Sequence, residues 1–191
     1  MAPSWTQGGA PRGWTSTADY REAAGRSAIL SESTATPPEE PVWRAAREMD
    51  NLVITPCEPI PMRLSNVRVQ WEPSSYAAEN ERKDIYLELN DESVYAFLGA
   101  QEERLKQEWG FVNSCLAKQG LIKCKINLKR VNVFDKDKNA TAAPASWSGW
   151  GVNVIIKLTG FWKTPDGGGS GLMLQATDVQ LLEPKQIRCP F

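Results

Sequence analysis

The 191-residue chain contains no histidine. That removes the commonest general acid/base near neutral pH and the commonest transition-metal ligand. The four cysteines, Cys57, Cys115, Cys124 and Cys189, form no C-x-x-C pair, so no familiar zinc site can be assembled from them. They read as ordinary buried or surface thiols of a reducing compartment. An excess of one charge is also lacking: 22 Lys and Arg stand against 23 Asp and Glu, a formal net of -1. This disfavours a protein that coats duplex DNA by charge alone, but not a local basic face with stacking platforms. No apolar run reaches transmembrane length, and the first residues carry no basic stretch followed by an apolar one. The expectation is an intracellular protein of cytoplasm or nucleus, neither secreted nor in a membrane. Without secretion the Asn139-Ala140-Thr141 sequon stays unmodified.

Catalytic apparatus is equally scarce. No G-x-S-x-G elbow occurs, and a serine nucleophile would have no histidine base. Asp135-Lys136-Asp137-Lys138-Asn139 opens like a calcium loop, but Ala140 stands where the sharp turn needs glycine and Ser146 where a bidentate acid belongs. It reads as a solvated turn. Gly167-Gly168-Gly169-Ser170-Gly171 lacks the Lys-Ser/Thr of a phosphate loop and precedes a strand, so it reads as a hairpin tip. Glu102-Glu103 lies on an exposed helix face as solubilising charge. A binding module is expected rather than an enzyme, with no cofactor and no metal.

What is present falls into parts. Residues 1–50 are rich in Gly, Pro, Ser, Thr and Ala and poor in aliphatics, so no core can offset backbone ordering there. They read as a disordered arm, with a weakly signalled helix over 42–49. Trp5, Trp14 and Trp43 punctuate it as contact points for a partner or for the chain's own domain. Residues 51–184 read as one β-rich domain, and 185–191 as a tail. Leu52, Val53 and Ile54 start a β-prone run, and Pro56, Pro59 and Pro61 hold the next segment extended. Val67, Val69 and Trp71 alternate with Arg68 and Gln70, a half-buried strand; Ile85, Leu87 and Leu89 share the face of another. Asn90 or Asp91 then caps a helix whose apolar positions are Val94, Phe97, Leu98, Leu105 and Trp109, stopped at Gly110. This helix reads as a lid over an open sheet end. A shorter amphipathic piece follows over 111–118.

The second half is strands. Cys124, Ile126 and Leu128 are followed by a phase slip to Val131 and Val133, read as a bulge at Lys129-Arg130. Val152, Val154, Ile156 and Leu158 pair across the Gly-rich connector with Leu172, Leu174 and Ala176; a second slip leads to Val179 and Leu181. The predicted fold class is mainly β (α+β): an OB-like, partly open antiparallel barrel with one amphipathic helix and a long C-terminal hairpin. Other small barrels and a sandwich satisfy the same pattern.

Cations and aromatics concentrate after residue 118. Lys123, Lys125, Lys129 and Arg130 surround the phase slip, Trp147 and Trp150 precede the hairpin, and Lys157, Trp162 and Lys163 lie along its first strand. Single-strand binders need this chemistry: cations neutralise phosphates, and flat rings stack on bases at about 1–3 kcal/mol each. In the competing reading, lysines solvate the outer face and tryptophans fill the barrel ends.

The run Ile85-Tyr86-Leu87-Glu88-Leu89, the helix from Ser93, the strand Ile122-Lys123-Cys124-Lys125-Ile126 and the hairpin of residues 152–158 and 171–182 stand in an order that resembles single-stranded DNA-binding proteins of large double-stranded DNA viruses and phages. The likeness spans residues 66–183 and lies in segment order and texture, without a diagnostic motif. It implies an OB-like core, single-stranded DNA across the sheet, a replication or recombination role, and no cofactor. One departure is the C-terminus. Many replicative single-strand binders end in an acidic tail that recruits partners, whereas this chain ends Gln186-Ile187-Arg188-Cys189-Pro190-Phe191. Recruitment of replication proteins would then fall to the N-terminal arm. The alternative function is a viral structural or assembly protein whose arm contacts neighbouring subunits.

Overall fold

Apolar alternation with period two dominates the chain, and it builds eight strands and one helix among the described residues. The computed structural model describes residues 40–49, 52–76, 80–117 and 120–184. Trp5, Trp14, most of the expected arm and the segment 185–191 lie outside the described residues. The strands are β1 (Arg47–Met49), β2 (Leu52–Arg68), β3 (Arg82–Glu88), β4 (Leu116–Ala117), β5 (Leu121–Asn127), β6 (Asn132–Phe134), β7 (Trp150–Lys163) and β8 (Ser170–Pro184). The helix α1 (Glu92–Trp109) lies between β3 and β4. No helix among the described residues is long and apolar enough to cross a membrane.

The sheet order is β1-β2-β7-β8-β5-β3, with β4 on β5 and β6 on β8. Beyond β2, Val69 bridges Leu87 of β3, and Gln70 N donates to Tyr86 O at 2.9 Å. That contact brings the last strand back to the first. The ring β2-β7-β8-β5-β3 is therefore a five-stranded, partly closed barrel of OB-like order. Its neighbours are antiparallel except at β8, which runs parallel to β5 and β6. The barrel interior is filled by the inward parity of each strand: Leu64 and Val67 from β2, Ile85 and Leu87 from β3, Ile122, Cys124 and Ile126 from β5, Val152, Val154, Ile156 and Leu158 from β7, and Leu174 and Ala176 from β8.

β2 fuses what the sequence divides into three pieces. Its register against β7 shifts between Pro56 and Ile60, where Pro59 falls, and again between Leu64 and Val67. At the first shift Gly160 approaches the β2 backbone so closely that a Cβ would lie 2.5 Å from Thr55 O; its φ of +152° also suits glycine. The slip expected after Ala176 is a bulge at Thr177, between the pairs Ile156–Ala176 and Ile155–Asp178.

The helix begins where Asp91 Oδ1 accepts from Ser93 N at 2.9 Å and Val94 N at 3.2 Å, so Asp91 rather than Asn90 is the cap. It ends at Gly110, with φ +81° and its N–H donating to Lys106 O. Val94, Leu98 and Leu105 enter the core, and the Trp109 ring packs against Phe161 with centroids 4.4 Å apart.

Three local expectations are corrected. Residues 42–49 are extended, not helical: Trp43 bridges Cys57, Arg44 N donates to Pro56 O, and β1 pairs with β2. Tertiary pairing with a strand overrides weak helix propensity here. Residues 111–118 hold no helix among their described positions; Ser170 Oγ donates to Phe111 O, and β4 pairs with β5. The slip at Lys129-Arg130 is a turn rather than a bulge. Arg130 N and Val131 N donate to Asn127 O, Lys129 N donates to Asn127 Oδ1, and the chain re-enters the sheet as β6 beside β8.

Candidate nucleic-acid interface

Strands β3 and β5 carry the apolar parity inward, so the opposite parity forms an outer face. The cross-strand pairs on it are Arg82–Asn127, Asp84–Lys125, Tyr86–Lys123 and Glu88–Leu121. An aromatic in the polar parity of a strand is the unusual member. The Tyr86 ring is half-buried because Trp71 stands against it edge-on, with centroids 5.0 Å apart and planes at 72°. Lys123 Nζ lies 5.9 Å from the same ring centroid. Trp71 itself is 49% exposed, and Tyr76, in the same β2–β3 connection, is fully exposed.

Trp71 is held in place from behind. Glu72 Oε2 accepts from Ser146 Oγ at 2.9 Å, Trp147 N at 2.9 Å and Ser148 N at 3.2 Å. Gly149 N donates to Val69 O, and Val69 N to Trp150 O. The segment ahead of β7 thus clamps the β2–β3 connection through donors to a carboxylate, the stronger kind of hydrogen bond.

Four cations on or beside the face have a carboxylate next to them. Lys125 Nζ is 2.6 Å from Asp84 Oδ1, and Lys123 Nζ is 3.4 Å from Asp84 Oδ2. Arg68 pairs with Glu88 at 2.8 Å, and Lys129 with Glu81 at 2.6 Å. The Lys129 hydrogen bond, and then its charge, hold the Glu81 carboxyl below its ordinary range. Arg82 is exposed at the edge of the face, and no ion pair to it is found among the described residues. Beneath the face, burial and then the Asp84 charge push the Cys124 thiol up to about 12, and burial raises Cys115 as well. Both are structural thiols rather than reactive ones.

The residues singled out in the sequence divide among several places. Lys123 and Lys125 stand together on the outer face, and Lys157 belongs to the same face, in register with Gln175 of β8, which is in register with Lys125. Lys129 and Arg130 lie in the exposed turn beyond β5. Trp147 is 2% exposed and belongs to the core, so it cannot present a ring to a base in this fold. Trp150 is half-buried against the core at the start of β7. Trp162 and Lys163 lie at the opposite end of β7 from Trp150. There the Trp162 indole packs over Gly169 and Gly171, and Lys163 Nζ sits 4.7 Å from the Trp109 ring centroid. Trp43 packs edge-on against Phe161 at 5.0 Å, so its ring docks on the chain's own domain. The Asp135 loop closes on itself, with Oδ1 accepting from Asp137 N and Asn139 N.

Sequence reasoning missed Trp71, Tyr76, Tyr86 and Asp84. Tyr86 had a visible signal, its place opposite Ile85 and Leu87. Trp71 extends the inward alternation of Val67 and Val69, but the strand's last bond to β3 is made by Gln70, and Trp71 beyond it stands outside against Tyr86.

No protein-family model and no curated protein matches the chain. Among solved structures it is similar to the single-stranded DNA-binding protein from bacteriophage Enc34 in complex with ssDNA, at 15% identity and a TM-score of 0.43, over 80% of this chain and 99% of that chain.

Proposed function

We propose that the chain is a binding module for single-stranded DNA, which lies across the outer face of β3 and β5, with Trp71 and Tyr86 meeting bases and Lys123 and Lys125 meeting phosphates. The observation that carries this is the half-exposed Trp71 ring, fixed against Tyr86, whose ring also meets Lys123. A soluble domain gains little by holding a large ring half in water, whereas stacking on a base covers it. The near-neutral charge favours single strands over duplex, because affinity then rests on rings that only unpaired bases can reach. Processes that expose single strands, replication and recombination, are the settings such a module serves. The assembly reading rests on the N-terminal arm, most of which lies outside the described residues, and the sheet adds nothing to it.

The test is fluorescence anisotropy of a labelled oligo-dT and of a duplex of equal length, each at low and moderate salt. Single-strand binding that exceeds duplex binding and weakens with salt is expected. Absence of oligo-dT binding at micromolar protein in low salt would refute the proposal.

A further inference from the structure

Asp84 occupies the centre of the proposed face, and it is the one carboxylate there that serves two cations. Its two oxygens each face one ammonium, Lys125 at 2.6 Å and Lys123 at 3.4 Å, as the two free oxygens of a backbone phosphodiester would. The arrangement is also incomplete. Oδ1 is buried yet accepts no aligned hydrogen bond, so the Lys125 contact is one of charge rather than a directed bond. The Asp84 side chain is only 20% exposed, whereas those of Lys123 and Lys125 are 41% and 53% exposed. The lysines are therefore free to turn outward on their flexible stems, while the carboxylate stays in the sheet.

Resting on the single-strand reading above, we infer that Asp84 is a built-in competitor for the nucleic-acid backbone. In the free protein it holds the two lysines against the sheet; on binding, a phosphodiester takes them over. The lysine ends of the pairs are solvated, which keeps the pairs weak, but the exchange leaves the part-buried carboxylate without its partners and so lowers the net gain from each phosphate contact. The face then favours ligands that also stack, and it discriminates against polyanions that offer charge alone.

The test compares wild type, the isosteric D84N and a control, E103Q, by oligo-dT anisotropy across a salt series. The control makes the same charge change on the exposed helix surface, where Glu103 pairs with Lys106. D84N is expected to bind about 2- to 10-fold tighter at low salt, the worth of one or two exposed ion pairs. Its log K against log salt line should steepen by about 0.7, one phosphate's share for single strands. Heparin, which is charged but cannot stack, should gain more in affinity than oligo-dT does. E103Q is expected to match wild type. If D84N binds no tighter than E103Q, or more weakly than wild type, the competitor role is wrong while single-strand binding stands. If none of the three proteins binds oligo-dT, the functional reading itself fails, and this inference with it. Circular dichroism and the melting temperature of D84N, expected near wild type, exclude misfolding as the cause of a loss.

Discussion

Replacing Trp71 with alanine removes a ring that is already 49% exposed and touches Tyr86 edge-on. The folded state loses the buried half of that ring and one aromatic contact worth about 0.5–1.5 kcal/mol, so a stability cost of about 1–2 kcal/mol is expected. Binding loses a stacking platform worth about 1–3 kcal/mol, which is about a 5- to 150-fold rise in Kd. Trp147 provides the opposite case. At 2% exposure its replacement by alanine should cost about 3–5 kcal/mol of stability, and the gentler W147F should retain both fold and affinity. The assay is oligo-dT anisotropy at low salt for wild type, W71A and W147F, with urea unfolding of all three and of W147A at the same pH. If W71A binds within about twofold of wild type, or W147F weakens binding as much as W71A does, the stacking face has been assigned to the wrong tryptophan.

Joint replacement of Lys123 and Lys125 by glutamine should flatten the salt dependence of oligo-dT binding by about 1.4 in slope; an unchanged slope would place the phosphates elsewhere. Gly160→Ala forces a Cβ to 2.5 Å from Thr55 O at φ +152° and should cost about 3 kcal/mol, lowering Tm by about 6–12 °C in a thermal scan. Asp91→Ala removes the helix cap and should cost about 1 kcal/mol in urea unfolding at pH 7. The hydrogen bond from Ser93 lowers the folded Asp91 pKa. The cap's pH-linked contribution is therefore full above the unfolded value near 4 and lost as pH falls through the folded value. The gap between wild type and D91A should accordingly narrow by pH 3.

The hairpin was legible because period-two alternation on both sides of a Gly-rich connector admits few alternatives, and even the slip after Ala176 marked a real bulge. The helix was legible from its own caps. Residues 42–49 were not, because their state is set by pairing with β2, a partner that local propensity does not see. On the outer parity of β5, Lys123 and Lys125 were legible as polar positions opposite Cys124 and Ile126. Proximity along the chain points to Trp147 and Trp162 as their rings, but it does not stand for proximity in space. Closure of the barrel brings Trp71 and Tyr86 to those lysines instead, and alternation within a single strand cannot show which strands become neighbours.

The long pairing of β2 with β7 also sets the order in which the barrel can assemble. Val53 must wait for Lys163 and Arg68 for Gly151, so most of the chain is synthesised before β2 has its main partner. Contacts this distant in sequence are slow to form, and until then β2 presents an unpaired edge to other nascent chains. Pro56, Pro59 and Pro61 offer no N–H to such a visitor, and the register shift among them breaks the regular ladder a second strand would follow. In the finished fold the prolines cost β2 hydrogen bonds; during synthesis they guard its edge until the hairpin arrives.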